Sequence, residues 1–151
     1  MSKLRELIDE ITEFGINPKV ELTAKTDVLK KLLVGIYSEF LKVEFEFDEK
    51  DYEDEPDLDF KKILENVKAN FPDFGWYSSV LDSNKMEPNI KIGIGDELDD
   101  LADIIKDMMD VKWRLENTSK NDALWHFEFH MRTHSEQHLV DLLKRLKERD
   151  D

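Results

Sequence analysis

Apolar residues recur at three- and four-residue intervals along most of this 151-residue chain, a periodicity that leaves room for little except helices packed on one another. Leu4, Leu7, Ile8, Ile11 and Phe14 mark a first helix, which Gly15 and Asn17-Pro18 stop. A second begins near Thr26 or Asp27, either of which can cap it. Its apolar positions (Leu29, Leu32, Leu33, Ile36, Tyr37, Phe40, Leu41) are dense enough for a central place in the fold. Gly35 inside it costs up to about 1 kcal/mol relative to Ala unless a neighbour needs close approach. A third helix follows on Phe60, Ile63, Leu64, Val67 and Phe71, ended by Pro72.

Gly95-Asp96 opens a fourth helix, with Asp96, Glu97, Asp99 and Asp100 crowding the positive end of its dipole. Its buried arc is Leu98, Leu101, Ala102, Ile104, Ile105, Met108 and Met109. A break at Asn117-Thr118-Ser119 separates it from a final helix over about 120–147. Period-two alternation is confined to short stretches. Residues 43–47 alternate, but the second helix is expected to end at about Leu41 with extended chain after it. Residues 74–81 and 89–94, joined through a turn at Asp82-Ser83-Asn84, are expected to pair as an antiparallel ribbon packed on the helices, since an isolated hairpin is marginal. The expected fold is mainly α: a helical bundle-like single domain over residues 1–151 with a minor two-stranded β-ribbon. That length can bury a core without disulfides or metals.

Charge narrows the partners. Thirty-six acids against 22 bases leave a net charge of −14. Such a surface repels phosphate backbones and anionic headgroups, so nucleic acid and membrane surfaces are excluded as expected partners. It speeds encounter with a basic protein. Ten acids and one Lys crowd residues 44–59, which read as a solvated acidic loop. No stretch approaches the about 20 apolar residues of a membrane span. No signal-peptide core is expected at the N-terminus, so the expected location is the cytoplasm. The absence of cysteine removes disulfides, thiolate metal sites, iron–sulfur clusters and thiol catalysis.

Asp99-Asp100-Leu101-Ala102-Asp103-Ile104 opening a helix, then Asn121-Asp122-Ala123-Leu124-Trp125, then Gln137-His138-Leu139, form an ordered set. Over about residues 74–146, with Phe74-Gly75-Trp76-Tyr77 upstream, the chain resembles a bacterial family known as domain of unknown function 5063. The resemblance implies a compact helical bacterial cytoplasmic domain. It implies no activity, because the family has none established. The acidic insert near residues 48–59 and the additional histidines depart from the family pattern, and only His138 stands where a family histidine is expected.

Three constellations carry possible chemistry. All four histidines, His126, His130, His134 and His138, stand at four-residue steps on the final helix. Residues four apart share a helix face and can clamp one ion. Each step drifts by about 40° on a regular α-helix, so the column is expected to spiral and not to form one four-ligand site. It places His126 and His130 on the polar side and His134 and His138 at the edge of the apolar arc. A metal would take His134 and His138 with a third ligand from another element; solvated or core-edge histidines are the ordinary account, and no metal or cofactor is assigned. His134-Ser135-Glu136-Gln137-His138 lacks the Glu that the zinc-protease motif places after its first His.

Second, Glu128, Arg132 and Glu136 form a Glu–Arg–Glu ladder expected on a packed face, either ordering helix packing or lining a pocket. Third, Asp96, Asp99, Asp103, Asp107 and Asp110 form an acid ridge opposite the apolar arc, expected to be solvated. Phosphate-loop, elbow-serine and EF-hand patterns are absent from the sequence. The expected function is therefore binding rather than catalysis: an immunity, inhibitor or adaptor module for a basic partner. The residues expected to form a pocket or contact that partner are Glu128, Arg132, Glu136, Trp76, Asp96 and Asp103. The alternative is a small metal-dependent enzyme using histidines of the C-terminal helix.

Overall fold

The computed structural model describes residues 1–149. Six α-helices and one ribbon follow in the order α1 (Ser2–Ile16), α2 (Lys25–Leu41), α3 (Phe60–Asn70), β1 (Trp76–Val80), β2 (Ile92–Asp96), α4 (Glu97–Asn117), α5 (Lys120–His130) and α6 (Glu136–Arg149). The chain is a mainly α domain with a small β-hairpin, as its periodicities require. No helix of the described residues is long and apolar enough to cross a membrane.

Helix α4 is the axis. It packs on α1 and α3 along one side and on α5 and α6 along the other. Its apolar arc, Leu101, Ile104, Ile105, Met108 and Val111, is fully buried in one continuous core to which α1, α2, α3, α5 and α6 all contribute. The other side is covered too. That second burial corrects the solvated-ridge expectation for Asp107 and Asp110, which are buried under the C-terminal helices, while Asp99 stays exposed and Asp96 and Asp103 are half-buried; Asp100, beside the ridge, is buried with them.

Local signals set most boundaries. Asp96 caps α4 by accepting from Leu98 N at 2.9 Å, and Ser119 caps α5 by accepting from Asp122 N at 3.0 Å. Helix α2 departs from expectation: it starts at Lys25 after Ala24 in the left-handed region (φ 52°), and neither Thr26 nor Asp27 caps it. Gly35 is required by close approach, since a Cβ there would lie 2.8 Å from a Leu7 methyl of α1.

The ribbon pairs Trp76 with Asp96, Tyr77 with Gly95 and Val80 with Ile92. Its second strand therefore runs two residues past the expected end, and Asp96 both closes the strand and caps the helix. Residues 43–47 form no strand. Val43 and Phe45 instead pack on the core edge while Glu44 and Glu46 face out, so the alternation serves a single extended segment.

The acidic loop is tied down rather than simply solvated. The Ser119 and Tyr52 hydroxyls donate to Asp48, the latter at 2.8 Å, and Glu46 N donates to Asn121 Oδ1 at 3.3 Å. These bonds lay the loop beside the start of α5.

Candidate metal centre

The C-terminal helix is not a regular α-helix. Residues Met131–Ser135 form a π-turn between α5 and α6. One extra residue in a turn sets everything after it back by about 100°, the rotation of a single residue. The drift of about 120° accumulated from His126 to His138 on a continuous α-helix is thereby nearly cancelled. All four histidines face α4, which corrects the spiralling column and its division between a polar side and an apolar edge. The same offset keeps Ala123, Phe127, Met131, Ser135 and Leu139, also four residues apart, on one fully buried line.

Antiparallel packing then sets the histidine line against the aspartate line of α4. His138 Nδ1 lies 2.8 Å from Asp100 Oδ1, and His134 Nδ1 lies 2.8 Å from Asp107 Oδ2. Carboxylates accept, so each Nδ1 carries the proton and each Nε2 presents a lone pair. These two Nε2 atoms are 3.2 Å apart, with Asp103 Oδ2 3.4 Å from that of His138. Two lone pairs at that distance repel unless a proton or a cation lies between them. Metal–ligand bonds of about 2.1 Å in a tetrahedron place ligand atoms about 3.4 Å apart, the spacing found here.

The carboxylates behind the histidines are themselves held. The Ser135 hydroxyl, fully buried in the π-turn, donates to Asp107 Oδ2 at 2.6 Å. The Tyr77 hydroxyl donates to Asp100. Tyr77 reaches it by lying over Gly95 on the paired strand, where a Cβ would fall 2.2 Å from its ring. Such outer carboxylates fix the tautomer and direction of a ligating histidine. Burial and the hydrogen bond to Asp100 raise the Tyr77 pKa, so the phenol stays a donor. The hydrogen bond to Asp100 raises the His138 pKa against the effect of burial, and burial raises that of Asp103. In the metal-free protein this favours a proton at the site a cation would take.

A second group sits further along the seam. Asp110, His126 and His130 each offer a ligand atom within 4.8 Å of the others, as do Asp103, His134 and His138. Arg114 Nε contacts both oxygens of Asp110 at 3.2 and 3.1 Å.

The remaining candidates fall elsewhere. The Glu–Arg–Glu ladder is broken. Arg132 meets Glu128 at 3.0 Å, but its side chain is 68% exposed, because the π-turn swings it away from the core. Glu136 instead accepts from the Tyr37 hydroxyl at 2.7 Å. A shallow depression of about 260 Å³ runs past Tyr37, Arg132 and Glu136 without Glu128. Trp76 lies on the outer face of the ribbon, 76% exposed, its indole donating to Asp96 at 3.2 Å. Of the six pocket or partner residues, only Asp103 joins the centre. Sequence reasoning passed over Asp100, Asp107 and Tyr77 as outer carboxylates and their anchor. Their signal was the match between two ladders, aspartates every three or four residues and histidines every four.

No protein-family model matches the chain, and no curated protein matches it. Among solved structures it is similar to protein BF1032 from Bacteroides fragilis, with a TM-score of 0.70 at 16% identity, over 97% of this chain and 89% of that one. At that identity the likeness shows the fold alone.

Proposed function

We propose that the chain is a metal-binding helical domain that holds one divalent transition-metal ion on His134 Nε2, His138 Nε2 and Asp103. The observation that carries this reading is the convergence of the two Nε2 atoms, each on a ring whose Nδ1 is held by a carboxylate. Imidazole with carboxylate suits zinc or ferrous iron. Three protein ligands leave coordination positions open, the pattern of a reactive centre rather than a closed structural one, and His134 is 43% exposed. A metal bound there would acidify a coordinated water. Metal analysis of untagged protein tests the proposal. Near-stoichiometric zinc or iron, lost in His138→Ala, is expected; protein that takes up no metal with its histidines intact would contradict it.

A second reading, an acidic module for a basic partner in a bacterial cytoplasm, is favoured by one surface. The outer face of the ribbon exposes Trp76 and Ile94 (80%) beside Asp96, an apolar anchor next to negative charge. Pull-down from the native host across salt concentrations, read by mass spectrometry, tests it. Salt-sensitive capture lost in Trp76→Ala is expected, and capture of no salt-sensitive partner would count against it.

A further inference from the structure

We infer that a second divalent-cation site lies on the same seam, formed by Asp110, His126 and His130, and shares no ligand with the Asp103 centre. Like the first it joins two histidines and one aspartate, but its backing contacts are longer, and a cation would replace the proton that His130 Nε2 shares with Asp110 Oδ2 at 2.7 Å. His130 Nδ1 lies 3.5 Å from Asp107 Oδ1, and His126 Nε2 lies 3.5 Å from Asp122 Oδ1. With those nitrogens turned to carboxylates, His130 Nε2 and His126 Nδ1 are left facing Asp110 Oδ2, at 2.7 and 3.9 Å. The longer distance exceeds any hydrogen bond. An ion with bonds of about 2.0–2.2 Å would bridge it.

The competing account is a plain ion-pair network centred on Arg114, and the geometry speaks against it for His126. His126 Nδ1 stays 3.9 Å from Asp110 Oδ2 and makes no direct bond to it. Arg114 also contacts Asp122 Oδ2 at 3.4 Å. It holds both carboxylates in place, and on Asp110 it shares Oδ2 with His130, so a cation there would bind beside the guanidinium. Its positive charge is outnumbered by Asp107, Asp110 and Asp122, so the site keeps a net attraction for a cation.

One carboxylate links this site to the first, and a cleft sets it apart. Asp107 touches His130 with one oxygen and His134 with the other, so a single carboxylate backs a ligand of each centre. A cleft of about 500 Å³, walled by Pro56 and Leu58 of the acidic loop and by Lys106 and Phe129, opens on Asp110 and His130. The open coordination positions of this second ion would therefore face a solvent-open cleft.

Titration of metal-free, untagged full-length protein with zinc chloride, followed by calorimetry against a competing chelator, tests the inference. Wild type is expected to take two equivalents, Asp103→Asn one and His130→Ala one. His126→Gln serves as a second probe should His130→Ala lose its helical circular dichroism. One equivalent in wild type, abolished by Asp103→Asn and unaffected by His130→Ala or His126→Gln, overturns the second site while leaving the proposed function standing. One equivalent with the opposite response keeps the second site and removes the first. No saturable binding overturns both.

Discussion

The two sides of α4 are both buried, yet they are built from opposite chemistry. Toward α1 and α3 the helix presents Leu101, Ile104, Ile105, Met108 and Val111; toward α5 and α6 it presents Asp100, Asp107 and Asp110. Burying the first set stabilises the fold by about 1.5–3 kcal/mol per side chain. Burying carboxylates costs free energy unless each is hydrogen-bonded or paired, and even then the net gain is small. The difference teaches where each kind of constraint resides. The apolar side accounts for folding, and the polar side, whose carboxylates are all paired, adds little to stability and is free to serve the ligand site proposed above.

Three substitutions and one deletion separate the sides. The largest effect is expected from deleting Thr133, which removes the extra residue of the π-turn. Helix α6 would turn by about 100° and carry Leu139, Leu142 and Leu146 out of the core, a loss of more than about 4 kcal/mol. Thermal unfolding measures it, and an unchanged transition would show that the turn does not set the register. Next, Ile105→Ala should cost about 2–5 kcal/mol in urea unfolding yet leave zinc stoichiometry intact in the folded protein. A changed stoichiometry would mean that the sides are not independent.

Asp107→Asn probes the polar side and should weaken zinc binding at both centres by about 10–100-fold. Calorimetry that finds only one centre weakened would show that the carboxylate is not shared. Arg132→Ala should alter stability by no more than about 0.5 kcal/mol, because the side chain is exposed and its one ion pair lies at the surface. A larger loss would restore the ladder to a packed face.

The same contrast explains what could be read in the sequence. The apolar side was legible because a period near 3.6 has one structural meaning, and it placed the helices, the break at residues 117–119 and the arc of α4. The polar ridge and the histidine column are visible as patterns, but the sequence does not show that Asp107 and Asp110 are covered or that the four histidines share one face. A ridge opposite an apolar arc reads as solvent-facing only when the helix has one packed side, and α4 has two.

On a regular α-helix the histidine line would spiral. Its four-residue period, repeated by Ala123, Phe127, Met131, Ser135 and Leu139, is longer than an α-helix sustains and was itself the mark of a wider turn. Ser135 shows the consequence for a single residue. Where a protease motif would place Glu, the chain places the hydroxyl that steadies Asp107.

Anomalous diffraction at the zinc edge, from crystals of the untagged protein loaded with zinc chloride, tests the central claim most directly. The account predicts a peak about 2.0–2.1 Å from both His134 Nε2 and His138 Nε2, with Asp103 completing the protein ligands. Rings that keep their bonds to Asp100 and Asp107, with no anomalous peak between them, would contradict it.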